Sequence, residues 1–367
     1  MPNLLAMSFE GELAPSFDLR CLRSGQTLPD GWGLGYYPAG EPSASVLKEP
    51  APPQGSIRGE LVKAWEHLES SLFVLHVRTA TWGSNTDANT QPFVRSWAGR
   101  EWMIGHAGSL THALDPSLDA RFEPVGATDT EQIFCALLER IAARGWRSLD
   151  DADLRVVHGW LYDLNARGSL DIVLCDGRDL LAYADRFGPE ALHLGALLPP
   201  YAELVIGDDD VQIDLTSRGR RSERKGVIVS SGPLRGQGNA HRLTWRALQR
   251  GELVVVRQGA IVSSLLAHDA QAHDHAHDHA HDHAHEHEHE HEHERDARRP
   301  PTPRATRRPP GRPDGRRTDA TRGLRRRRAC RSCTARRTRT STPSSGARIC
   351  CGSCRCTIAC RRCSTRR

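Results

Sequence analysis

The composition of this chain breaks once, near residue 264, and the break limits where a hydrophobic core can form. All 8 Trp, 5 Tyr and 7 Phe lie before it. From Arg295 to Arg367 there is no aromatic residue, and the only large aliphatic ones are Leu324, Ile349 and Ile358. Burial of apolar side chains is the main term that offsets the entropy of ordering a chain, so that stretch lacks the means to fold alone. A length of 367 residues leaves room for more than one average domain. The composition instead predicts a single folded domain over residues 1–263, a His/Asp/Glu-rich linker over 264–294, and a basic, disordered tail over 295–367.

Charge and cysteine divide at the same place. The net charge of +5 comes from arginines after residue 294, while the first part carries a mixed, mildly acidic surface. A basic balance points to nucleic acid or anionic membrane, but here it belongs to the tail, and neither is expected as a partner. Cys21, Cys135 and Cys175 are scattered, as in a reduced cytosolic protein; the other eight cysteines fall between Cys330 and Cys363. The opening Met-Pro-Asn-Leu-Leu-Ala-Met-Ser has no basic region and meets Glu10 early, unlike a signal peptide. No apolar run reaches the length of a membrane span. A cytoplasmic location is expected.

Periodicity predicts many strands and a few long helices, an α+β domain. Residues 2–8, the aromatic stretch after Asp30-Gly31-Trp32-Gly33, Leu72–Arg78, Glu101–His106 and Gly226–Ser230 read as strands. Leu170–Cys175 with Asp176-Gly177-Arg178 and Leu180–Asp185 reads as a hairpin, and Glu252–Ile261 as a closing one. Ser56–Ser71 has helical spacing through Ile57, Leu61, Ala64, Trp65 and Leu68. Thr130–Ala143 is an amphipathic helix with Thr128 or Asp129 as its cap.

Several short motifs occur in a fixed order: Asn3–Ser8, Asp30–Gly33, His76-Val77-Arg78-Thr79-Ala80, Asn89–Phe93, Gly105-His106-Ala107-Gly108-Ser109-Leu110 and Gly126–Glu131. Each is weak alone, since Asp-Gly-Trp-Gly is by itself only a turn. Together, with Asp176-Gly177-Arg178 and Trp245 beyond them, they resemble the class II glutamine amidotransferases, in particular the stand-alone bacterial subgroup. The resemblance covers about 260 residues and implies the αββα sandwich of the N-terminal-nucleophile hydrolases.

It also implies a site, with two departures. In that family the residue after Met1 is a cysteine that attacks the glutamine amide, its own α-amine serving as base; here that position holds Pro2. The family places an asparagine after the histidine matched by His106, as one oxyanion donor; here it is Ala107, while Gly108, the backbone donor, remains. The substrate-holding positions are present: Arg78 matches the arginine for the α-carboxylate, a task suited to a guanidinium fork, and Asp129 matches the acid for the α-ammonium. Thr79 and His106 complete the expected substrate-binding set. The bland reading makes Arg78 and Asp129 structural charges and His76 and His106 satisfied strand residues. Trp32, Trp82, Trp97 and Trp102 read as core or cleft wall.

The expected function is accordingly an amidotransferase-like protein that lacks glutaminase activity, needs no cofactor, and binds an amino acid or γ-glutamyl group. One alternative is an active enzyme that uses the Pro2 amine on a different substrate. Another is metal binding by the histidine tract, with His273, His275, His277, His279, His281 and His283 as loose ligands for zinc, nickel or copper. A low-complexity linker grown by repeat slippage explains the same tract. The Cys-x-x-Cys pairs of the tail resemble zinc ligands but lack apolar anchors. Read one base out of frame with GC-rich codons, Ser344–Ala359 becomes similar to a segment of bacterial transglutaminase-like proteins. That similarity implies a frameshifted remnant and a transglutaminase-like domain as partner.

Overall fold

The computed structural model describes residues 3–20, 28–65, 68–114, 120–188, 191–216 and 223–266. Two antiparallel sheets lie face to face. The first has seven strands in the order β15 (Leu243–Ala247), β10 (His193–Leu197), β13 (Gly226–Ser230), β1 (Leu4–Leu13), β5 (Ser70–Arg78), β3 (Gly31–Tyr36) and β4 (Ser45–Glu49). The second has six, in the order β17 (Ala260–Leu265), β16 (Leu253–Arg257), β9 (Asp179–Tyr183), β8 (Gly168–Cys175), β7 (Arg100–Leu110) and β6 (Phe93–Trp97).

Strand alternation sorts the side chains into layers. Leu4, Ala6, Val74, Met103, Val173 and Ala182 point inward and pack between the sheets. The sheets approach closely where Gly105 faces β1: a Cβ there would lie 2.7 Å from Leu4 Cδ1. Trp102, Ile104 and Ile172 point the other way, against α2 (Asp129–Ala143) and α3 (Leu154–Asn165). The α2 residues that meet them, Ile133, Phe134, Leu137, Leu138 and Ile141, follow the 3.6-residue period read from the sequence. Its N-cap is Thr128, whose hydroxyl accepts from Glu131 N at 3.3 Å; Asp129 is the first helical residue.

The outer face of the seven-stranded sheet is covered differently. Phe73, Leu75, Trp32 and Leu34 pack against Phe17, Tyr201, Ile206 and Ile213. Most of these covering residues come from a four-stranded sheet, β14 (Arg235–Gly238), β11 (Leu204–Gly207), β12 (Val211–Asp214) and β2 (Ser16–Leu19). Beside it lies one short helix, α1 (Ile57–Ala64).

The helix expected over Ser56–Ser71 is therefore shortened and turned. It ends at Ala64, and Ser70 and Ser71 belong to β5. The apolar stripe read as its buried face is outward: Ile57 is 87% exposed and Leu61 49%, and the residue it buries is Val62. Spacing alone cannot distinguish one helical face from its neighbour when only eight residues are helical. At the other end, β17 runs to Leu265, two residues past the expected boundary. α3, β2, β4, β6, β10, β11, β12, β14 and β15 were not anticipated. No helix among the described residues is long and apolar enough to cross a membrane.

Candidate functional site

A cleft of about 390 Å³ opens where β1, β5 and β7 meet the start of α2. Antiparallel pairing of β1 with β5 sets Leu4 opposite His76, which brings Asn3 to the end of β5. The Val77 N–H donates to the Asn3 carbonyl at 2.9 Å and fixes that junction. All the described members of the expected set, Arg78, Thr79, His106, Ala107, Gly108 and Asp129, line this one cleft. Pro2, Cys21 and His273–His283 lie outside the described residues.

Arg78 is 4% exposed and is held by the loop that follows it. Its Nη1 donates to Asn85 Oδ1 at 2.7 Å, and its Nη2 to the carbonyls of Trp82 at 2.9 Å and Gly83 at 3.1 Å. Asn85 donates in turn to Asp30 Oδ1 at 2.9 Å, and Asp30 Oδ2 accepts from Ala80 N at 2.8 Å. Those two hydrogen bonds, with the Arg78 charge, hold the Asp30 carboxyl below its ordinary pKa. Burial lowers the Arg78 pKa, with Asp30 acting against it. Asn85 is thus a neutral bridge between a carboxylate and the guanidinium. Neither Asp30 nor Asn85 was assigned a role from sequence, although Asp30 heads one of the motifs.

Asp129 is 3% exposed. Its Oδ2 accepts from Leu110 N and its Oδ1 from Thr130 N, each at 2.8 Å, which ties the end of β7 to the start of α2. A carboxylate has about four lone-pair sites, so acceptor capacity remains beyond those two bonds.

His106 is wholly committed. Its Nε2 lies 3.2 Å from the Ser169 carbonyl, which can only accept, so Nε2 carries the proton. Nδ1 then accepts from the Thr130 hydroxyl at 2.9 Å, and that same Oγ1 accepts from Gln91 Nε2 at 3.0 Å. Gln91 also bonds both backbone groups of His106: its Oε1 accepts from N at 2.7 Å and its Nε2 donates to O at 3.1 Å. Burial lowers the His106 pKa although Asp129 acts to raise it. The neutral, doubly bonded ring is a satisfied strand residue with no free nitrogen for proton transfer. His76, also in the lining, is held neutral by burial, its pKa lowered to about 3. Its Nδ1 has no partner among the described residues.

Ala107 is half-buried and packs on the inter-sheet core. Gly108 is exposed, with φ +150°, and a Cβ there would fall 2.2 Å from the Ser169 carbonyl; no larger residue fits. Thr79 is exposed at the rim. Neither described cysteine reaches the cleft. Cys135 in α2 is pushed up to about 11 by burial, and burial also raises Cys175 in β8 well above its ordinary value. Among the described residues no three His, Cys, Asp or Glu side chains come together to hold a metal ion. Trp32 and Trp102 are core, Trp82 lines the cleft, and Trp97 is half-buried against the helical layer.

Two facing antiparallel sheets, with α2 and α3 packed on one outer face, agree with the sandwich expected of the N-terminal-nucleophile hydrolases. The family model for class II glutamine amidotransferases matches residues 1–281. The putative glutamine amidotransferase YafJ of Escherichia coli is 32% identical over 265 residues, covering 70% of this chain and 100% of that protein. An uncharacterized protein of Methanocaldococcus jannaschii is 31% identical over 267 residues, 72% of this chain and 71% of its own. The crystal structure of a predicted glutamine amidotransferase from Pseudomonas aeruginosa superposes with a TM-score of 0.56 at 24% identity, covering 71% of this chain and 99% of that one. The chain belongs to the class II glutamine amidotransferase family.

Proposed function

We propose that the cleft binds an α-amino acid with a glutamine-like or γ-glutamyl side chain and does not release ammonia from it. The observation that carries this reading is the arrival of Arg78 and Asp129, both buried, in one cleft whose described lining holds no thiol. A guanidinium and a carboxylate match the two ends of a zwitterion. Part of the Arg78 fork is taken by the 82–85 loop, so a ligand carboxylate meets the remaining N–H groups or displaces Asn85. Pro2 offers no sulfur and Ala107 no amide. Loss of one oxyanion donor costs about 10²- to 10³-fold in rate, and loss of a nucleophile about 10⁶-fold in a well-studied hydrolase. A partner domain that handles glutamine side chains, such as a transglutaminase-like one, is the companion this reading favours.

Purified protein should release no ammonia from glutamine above background; turnover that disappears with Pro2→Ala would defeat the inactive reading. Glutamine or a γ-glutamyl compound should raise the melting temperature. Ligand at 100 times its dissociation constant adds about 2.7 kcal/mol, a shift of a few degrees in a domain of this size. Arg78→Ala should abolish the shift, and Arg78→Lys should weaken it because an ammonium cannot reproduce the fork. If no α-amino acid or γ-glutamyl ligand moves the melting curve at millimolar concentration, the binding reading is wrong.

A further inference from the structure

The helical side of the six-stranded sheet carries a cluster of tryptophans and arginines outside the cleft. Trp146, just after α2, and Trp160, on α3, have ring centroids 5.6 Å apart and planes tilted by 34°. Arg144 sits over both rings, at 5.6 and 5.8 Å, and Arg140 sits over Trp160 at 5.6 Å. Trp97 joins them by donating its indole N–H to the Trp146 carbonyl at 2.7 Å, and Arg121 lies 4.9 Å above its ring. The three tryptophans are half-buried and the three arginines exposed. Among the described residues none of these arginines pairs with a carboxylate. Nearby acids have other partners: Glu131 pairs with Arg95, Glu139 accepts from Phe122 N, and Asp151 accepts from Arg147 N.

A guanidinium stacked on an aromatic ring uses its face for that contact, and its N–H donors lie in its plane. The cluster therefore gathers three exposed cations beside the indoles, and among the described residues none of the three guanidinium groups donates a hydrogen bond.

The chain itself supplies a polyanion. Leu265, next to the last described residue of the fold, lies in β17 at one edge of the six-stranded sheet and packs on the same core as Trp146, Trp160 and Trp97, the last of which lies in β6 at the other edge. The residues that follow, 268–294, contain Asp269, Asp274, Asp278 and Asp282, then Glu at every second position from Glu286 to Glu294, and no Lys or Arg. A chain of that length can reach up to several tens of Å at about 3.3 Å per residue, more than the width of six strands spaced about 4.8 Å apart.

We propose that the arginine–tryptophan face of α2 and α3 is the docking site of the chain's own acidic tract, residues 268–294. The tract neutralises cations that the fold leaves unpaired, and it covers the half-buried indoles.

The test uses the full chain carrying Arg140→Lys and Arg144→Lys, which keep the charge but add amines that a carboxylate-coupling reagent can join at pH 7.5. Mass spectrometry should find intramolecular links from positions 140 and 144 to Asp or Glu of 268–294, falling several-fold in 0.5 M salt as screening shortens the electrostatic reach. Lys225 and Glu10, 3.7 Å apart, are the internal positive control. The proposal is overturned if the control links form while positions 140 and 144 link only to Glu139 or Asp151, or only between molecules. Tryptophan quenching by an added single-stranded oligonucleotide, without tract links, would assign the face to an external polyanion and likewise overturn it. A second variant leaves the fold untouched: the nine carboxylates of the tract are changed to Asn or Gln. Amide hydrogen exchange across 140–163 should then be faster than in the native chain, and unchanged exchange would count against docking.

Discussion

Asp129 and Ala107 line the same cleft, yet they are tied to the fold in different ways. The Asp129 carboxylate is buried and holds two backbone N–H groups, one from β7 and one from α2. Ala107 contributes a half-buried methyl and a strand position. The Arg78 side resembles Asp129, for its guanidinium anchors the 82–85 loop as well as facing the cleft. Groups with two tasks cannot be removed without local cost to the fold. A position with only a chemical task can lose its polar group while the sandwich stays intact. This is the physical reason Arg78 and Asp129 are tied more firmly into the fold than position 107.

The largest expected effect tests the double role of Asp129. Asp129→Ala leaves the buried Leu110 and Thr130 N–H groups without acceptors, at about 1–3 kcal/mol for each unsatisfied group. Urea unfolding without any ligand should show a loss of about 2–6 kcal/mol; a loss below 1 kcal/mol would break the comparison.

Next in size is a pH effect from the ring that faces the same cleft. The His76 pKa is lowered from 6.5 to about 3 by burial, so the unfolded chain takes up a proton below pH 6.5 that the folded chain refuses. Stability is present above pH 6.5 and falls as pH drops through the window toward 3, by about 1.4 kcal/mol per pH unit for this group. His106, also lowered by burial, acts in the same direction. His76→Phe should flatten the slope of unfolding free energy between pH 6 and pH 4, and an unchanged slope would remove His76 as its source.

The smallest expected effect is at position 107. Ala107→Asn restores an amide at a half-buried site without disturbing a polar network, and should alter stability by less than about 1 kcal/mol. Combined with Pro2→Cys it should yield weak ammonia release, measured by a coupled assay. A loss near that of Asp129→Ala would show that the two positions are equally bound into the fold.

Much of this was legible in the sequence, for local reasons. β5, β7, β8 and α2 announced themselves through apolar runs and spacing, and Thr128 through the chemistry of helix caps. α3 was missed, although Asp153 caps it and Val157, Leu161 and Leu164 supply its buried face. The small strands β11, β12 and β14 were missed because four residues hold too little pattern. Arg78 and Asp129 were singled out by the motif order, and the structure sets both in the cleft lining; the contacts of Asp30, Asn85, Asn3 and Gln91 were not foreseen.

The sequence by itself determined where side chains for a core are available, because apolar and aromatic content is a property of each segment and falls away near residue 264. It also determined that the position after Met1 carries no thiol and that position 107 carries no amide. Tertiary structure alone decided which polar groups are spent and which remain free. His106 is satisfied by Ser169, 63 residues away, and by Thr130, 24 away; Ala80, on the Arg78 loop, is held by Asp30 from 50 residues before it. Hydrogen bonds between such distant residues exist only once β7 has paired with β8 and met α2, and β3 has paired with β5, and no local pattern of side chains encodes them.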